Sequence, residues 1–267
     1  VPFTASHVAA ALPFLRLPLL PAALVIGTMA PDLPYYVPGG LGVPREWTHS
    51  PFGIVTIDLV LGAVLFALWH GFVREPAIDL APAPIRARMP AGSRSGRPAG
   101  WGRGRTLGVL IASLVIGAAT HVVWDSFTHP GPVVDALPLL DERWGPLLVH
   151  KWIQHGSSVI GVVALVIAAV HWLRTTPVSP AGKPPRTVSR VAPATRIVCW
   201  TAVGLAGILG GLIVWVAGMT TGFSPLEPRL VFRVARVVVA SSGAVALAVV
   251  ALWYLRFRVG RMSRGDR

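Results

Sequence analysis

Long apolar runs separated by short polar segments dominate the chain. Five of them, Phe52 to Phe72, Thr106 to Ser126, Gly156 to Leu173, Ile197 to Met219 and Val231 to Leu255, are rich in Val, Leu, Ala and Ile and nearly free of charge. Each approaches or exceeds the ~20 residues that cross a hydrocarbon core, and lipid forces such runs to be helical because unpaired backbone groups are costly there. Arg233 and Arg236 fall in the first turns of the fifth run, where their long stems reach the interface. Residues 8–30 are also apolar but are broken by Pro13, Arg16, Pro18 and Pro21. The pattern allows a sixth, kinked span or two short helices forming a re-entrant hairpin. A cleaved signal is not expected, since no basic segment precedes it and Pro31 follows the small-residue site Thr28-Met29-Ala30. The fold class expected is an all-α, polytopic helical integral membrane protein.

Charge then orients the spans. Arg74 to Arg105 carries seven arginines, the loop after the third run holds Arg174, Lys183, Arg186, Arg190 and Arg196, and Arg256 to Arg267 forms a basic tail. The segments between these are poor in Lys and Arg and hold Asp32, Glu46, Asp135, Asp141, Glu142 and Glu227. Basic and non-basic loops alternate without a break, so the basic loops and the C-terminus are expected in the cytoplasm. Two of those loops, about 75–105 and 173–196, are built from Ala, Pro, Gly, Ser and Arg, a composition that predicts disordered linkers. They divide the chain into a membrane domain over 1–172, a linker over 173–196 and a C-terminal helix pair with its tail over 197–267.

Composition narrows the class further. Hydrophobic residues make up 53% and charged residues 13%, against ~25% charged in soluble domains, which excludes an ordinary soluble enzyme. The net charge of +13 would suggest nucleic acid on a soluble protein. Here it is spent on topology, and no nucleic-acid partner is expected. One cysteine, Cys199, excludes a disulfide scaffold and falls inside the fourth run.

The chemistry concentrates at one level. His121, Asp125 and His129 are spaced i, i+4, i+8 at the end of the second run, so a helix brings all three near one face. Lone-pair donors at that spacing suit zinc or a similar ion. The positive-inside topology puts Asp32, His49 and His155 at the same non-cytoplasmic level, although only Lys and Arg were used to derive it. Convergence of Asp32, His49, His121, Asp125, His129 and His155 is therefore an expectation that structure can test. Asp58 lies inside the first run, below His49, where an ionisable group is a functional candidate; its place is at most behind the ligands, and the alternative is a pairing with a donor such as His155 or Gln154.

At these residues the sequence resembles a known group. Pro2-Phe3-Thr4-Ala5-Ser6-His7, Gly27-Thr28-Met29-Ala30-Pro31-Asp32, His49-Ser50, the run from His121 to His129, and Gln154-His155-Gly156-Ser157-Ser158 look like a bacterial membrane family catalogued as domain of unknown function 4184, over residues 1–172. The order of His, Pro-Asp, His-Ser and His-x-x-x-Asp is also similar to YdjM-like membrane-bound metal-dependent hydrolases, with a more distant likeness to zinc-dependent phospholipase C. A valine at position 1 fits a start codon read as valine. The resemblance implies a metal held by His7, Asp32, His49, His121 and Asp125, with Asp32 also as proton acceptor and His129 or His155 as acid. If His7 is a ligand it must reach the level of Asp32, which favours the hairpin.

The function expected is a metal-dependent hydrolase of the bacterial cytoplasmic membrane. Zinc at the outer face would act on a phosphoester of a lipid or envelope precursor, the bilayer being the main partner. The alternative is a non-enzymatic membrane protein, structural or metal-transporting, in which the His/Asp cluster is hydrogen-bonded architecture.

Overall fold

The computed structural model describes residues 4–37, 41–89, 100–178, 190–225 and 227–259. Much of both expected linkers, over 90–99 and 179–189, lies outside them, as does the tail beyond 259. The described chain is almost wholly helical. Five helical segments are long and apolar enough to cross a membrane: Pro51–Leu80, Arg103–Thr128, Val149–Thr175, Pro193–Thr220 and Pro228–Phe257. Each overlaps one of the apolar runs and extends it, and together they imply a bilayer setting. Between the second and third spans the chain adds a two-residue hairpin of β1 (Arg143–Trp144) and β2 (Leu147–Leu148) that the apolar pattern does not foreshadow.

The chain divides into two compact units. The first comprises residues 1–34, 41–68 and 93–176. It opens with a 3₁₀ helix, Thr4–Arg16, followed by α1, Pro21–Met29. Pro21 opens α1 where no amide donor is needed, and the Leu20 amide just before it donates to Ser113 Oγ, 3.0 Å away. The two ends of this N-terminal segment meet, because the Thr4 hydroxyl donates to Asp32 Oδ2 at 2.6 Å. Of the two arrangements the sequence allows, the pair of short helices is the one formed.

Around this hairpin stand α2 (Ile57–Leu68), α3 (Arg103–Thr128) and α4 (Val149–Thr175). The closest approach is between α1 and α3 at Gly27 and Gly117. A Cβ at Gly27 would strike the Leu114 carbonyl, and one at Gly117 would strike the Leu24 carbonyl. Two glycines therefore let the backbones touch, as small residues do between membrane helices. Gly161 of α4 is closed in similarly by Ser6 of the 3₁₀ helix. Leu20, Ala23, Phe66 and Leu114 form the apolar centre beneath. In contrast, Val159, Ile160, Val163, Val166 and Ile167 of α4 face outward, as lipid contact requires.

The second unit comprises 35–40, 69–92 and 177–267. Its frame is α5 (Pro193–Thr220) and α6 (Pro228–Tyr254), which pair antiparallel along a stripe of small residues. Gly207 abuts Ser242, Gly211 abuts Val238 and Gly218 abuts Leu230. Helices Arg74–Leu80 and Ala83–Arg86 occupy the start of the stretch read as a linker from residue 75. They are held by real contacts: Arg86 is buried and donates to the Ala81 carbonyl, and Trp253 Nε1 donates to Asp79 Oδ2. Ala and Arg favour helix where tertiary partners exist, which composition alone does not reveal. Cys199 is half-buried rather than enclosed.

Candidate metal centre

Three elements of the first unit deliver the site. Asp32 closes the turn after α1, His49 follows the short helix Arg45–Thr48, and His121 and Asp125 sit one turn apart on α3. His49 is set by its own turn. Ser50 Oγ accepts from the Gly53 amide, starting the helix Pro51–Val55, and any side chain at Gly53 would strike the Trp47 carbonyl. His121 is set by the glycine contact one turn back, which brings the Thr28 carbonyl within 2.8 Å of its Nδ1.

The four side chains converge. His49 Nε2 lies 3.5 Å from Asp32 Oδ1 and 3.4 Å from Asp125 Oδ2. His121 Nε2 lies 3.7 Å from each of the same two oxygens. These separations exceed the ~2.7–2.9 Å of a charge-assisted hydrogen bond. They match instead the ~3.4 Å edge of a tetrahedron drawn by ~2.1 Å metal–ligand bonds. One ligand atom from each residue lies within 4.8 Å of every other.

The donor set also fits a cation chemically. A carbonyl can only accept, so His121 carries a hydrogen at Nδ1, and its Nε2 faces two carboxylate oxygens. That Nε2 is buried and makes no hydrogen bond, and Asp125 Oδ1 is likewise buried without one. Converging lone pairs repel unless something positive lies between them. Three of the four groups are braced from outside in the way metal ligands are: His121 by the Thr28 carbonyl, Asp32 by the Thr4 hydroxyl, and His49 by Thr48 Oγ1, 2.9 Å from its Nδ1.

Electrostatics ties the two loop members to each other, favouring the carboxylate of Asp32 and the protonated ring of His49 while no cation lies between them. Burial alone would raise the Asp32 carboxyl, but His49, His121 and the Thr4 hydroxyl together hold it below its ordinary range. Burial would likewise lower the His49 imidazole, yet its carboxylate neighbours Asp125 and Asp32 raise it. His129 goes the other way. Burial, reinforced by Arg45 and Lys151, pulls it down to about 4 despite Asp125. It is therefore a neutral ring near pH 7.

Of the other expected residues, His7 joins the cluster from behind. Its ring stacks on His121 with centroids 4.0 Å apart, and its Nε2 lies 3.4 Å from Asp125 Oδ1, the oxygen turned away from the other ligand atoms. His129 reaches the front, with Nδ1 3.4 Å from Asp125 Oδ2. His155 does not join: it is exposed, while its neighbour Gln154 turns inward and meets His129 Nε2 at 3.4 Å. Asp58 is buried beneath the cluster with no hydrogen-bond partner for either oxygen, so the alternative pairing with Gln154 or His155 is not made. His150 is buried and bonded to the Leu140 carbonyl.

Sequence reasoning missed two members. Arg45 donates to Asp125 Oδ2 at 2.6 Å, and Lys151 donates to Gln154 Oε1 at 2.8 Å. Arg45 begins the short helix that ends beside His49, which was the available signal. Exposure grades the site outward, from 0% at His121 through 7% at His49 and 15% at His129 to 37% at Arg45. The mouth is therefore at Arg45 and His129.

Neither the curated proteins nor the solved structures provide a match. A family model does match, over residues 1–253, taking in both C-terminal helices beyond residue 172 where the motif resemblance stops. The chain thus belongs to the family described as a domain of unknown function, DUF4184.

Proposed function

We propose that the protein is a membrane-bound metal-dependent hydrolase whose single divalent metal, zinc by preference, is held by Asp32, His49, His121 and Asp125. The observation that carries this reading is the convergence of four buried side chains whose His–Asp separations of 3.4–3.7 Å suit shared ligation of one ion. A metal in such a site supplies Lewis acidity and an acidified water.

The chain's own residues do the rest. Asp32 and His121 are fixed by Thr4 and Thr28, His7 backs Asp125, and His129 at the mouth relays to solvent the proton that hydrolysis releases. Exposed Trp47, Trp124 and Trp152 each lie within two residues of a site residue, the placement of aromatic anchors at a bilayer surface. This supports a mouth at the membrane interface and a phosphoester of a lipid or envelope precursor as substrate. The alternation of basic loops favours the outer face of a bacterial cytoplasmic membrane.

One contact favours a second reading. The Arg45 guanidinium already meets Asp125, as it would in a metal-free, ion-paired architecture with a structural role. Metal content of the detergent-purified protein separates the two. About one metal per chain, lost in His121→Ala and in Asp125→Ala, supports the hydrolase and justifies screening phosphoesters with chelator controls. A wild type that holds no metal and cannot be reconstituted leaves the structural role.

A further inference from the structure

The mouth of the site is lined by cations that metal ligation does not use. Arg45 holds Asp125 Oδ2 by one nitrogen while about a third of its side chain stays open to solvent. Lys151 is anchored at Gln154 Oε1, 2.8 Å away, with the Thr128 carbonyl at 3.5 Å. Gln154 is itself buried and touches His129, which touches Asp125. Arg45 and Lys151 thus end one continuous polar chain, Arg45–Asp125–His129–Gln154–Lys151, across the open side of the cluster. Both act electrostatically on the His129 ring between them.

We infer that Arg45 and Lys151 form a clamp for the dianionic phosphate of a phosphomonoester, the substrate class of the site. The inference rests on the metal reading above. Two ligand carboxylates offset a divalent metal, and Arg45 and Lys151 add two positive charges at the mouth. A phosphomonoester near pH 7 carries about two negative charges and a phosphodiester one. Arg45 offers a planar fork suited to phosphate oxygens, and Lys151 a point charge beside it. A diester would leave one buried-edge cation uncompensated, and an uncharged ester would leave both.

The test uses the full chain in nanodiscs, loaded with zinc, with metal counted by mass spectrometry and binding read by calorimetry. Inorganic phosphate and glycerol 3-phosphate should bind, and dimethyl phosphate roughly tenfold more weakly. Lys151→Gln should weaken phosphate by a similar factor and leave the metal count unchanged. Arg174→Gln, at the other end of α4, should change neither. Nanodiscs containing phosphatidic acid instead of phosphatidylglycerol identify a lipid source if they suppress phosphate binding, and a soluble source if they do not. Either result supports the clamp. Equal affinity for dimethyl phosphate and phosphate, or an undiminished Lys151→Gln, overturns it while the metal reading stands. A wild type without metal overturns both, and the metal count tells the cases apart.

Discussion

The Nδ1 of His121 lies 2.8 Å from the carbonyl oxygen of Thr28, across a separation of 93 residues in sequence. That one contact orients a buried histidine of the cluster and ties the N-terminal hairpin to the second span. It exists only because Gly27 and Gly117, beside it, bring the two backbones together.

The glycine contact is directly testable. Gly117→Ala places a methyl group against the Leu24 carbonyl, and overpacking of this kind costs about 1–3 kcal/mol. The variant should unfold at lower temperature in detergent and bind zinc more weakly, because Thr28 is levered away from His121. Gly104→Ala, at a position with open space around it, should change neither. Thermal unfolding with and without metal reads both.

Removing the brace on Asp32 should act on the metal rather than on the fold. Thr4→Val keeps the shape but deletes the hydroxyl that holds Oδ2 at 2.6 Å. Loss of such a supporting hydrogen bond lowers metal affinity by about 10–100-fold. A competition titration against a chelator measures it, and an unchanged affinity would count against Asp32 as a ligand.

His7 and His121 should separate in their effects. His121→Ala removes an atom of the four-membered group and is expected to empty the site. His7→Ala removes a ring that stacks behind it and should retain about one metal per chain with reduced stability. His155→Ala, at an exposed position, should leave metal content unchanged. Equal metal loss in the His7 and His121 variants would make His7 a ligand in its own right.

Acid should weaken the chelator-treated protein in a defined window. His129 titrates at about 4 when folded against an ordinary value of 6.5, so between those values the unfolded chain binds more protons. Stability therefore falls as pH drops from 6.5 to 4 and changes no further from this group below that. The loss amounts to at most about 3 kcal/mol. His129→Asn should reduce the slope in that window, and a slope identical to wild type would remove His129 from the account.

The parts of the site that follow a period were legible in sequence. His121, Asp125 and His129 share a helix face by spacing alone, and Asp32 and His49 were placed by the level of the spans they precede or follow. His155 shows where that reasoning stops. Depth along a span says nothing about azimuth, and one residue is about 100° of helix, so Gln154 faces the cluster and His155 faces out. Arg45 and Thr4 contribute through a short turn and a 3₁₀ helix, which have no apolar period to betray their direction. The hairpin was chosen over a sixth span only by asking where His7 would have to be. Helix Arg74–Leu80 was hidden for the opposite reason, since its partners Trp200 and Trp253 come from residues far along the chain.

The contact between Gly27 and Gly117 also sets a timetable. During synthesis Thr4, His7, Thr28 and Asp32 emerge long before α3 exists to receive them. The hairpin must wait at the membrane, unlatched, while the first long span inserts. Only when the second span arrives can the backbones close and the ligands meet. A chain arrested before that point would be inserted as far as it goes, and would carry Asp32 and His49 without His121 and Asp125 to meet them.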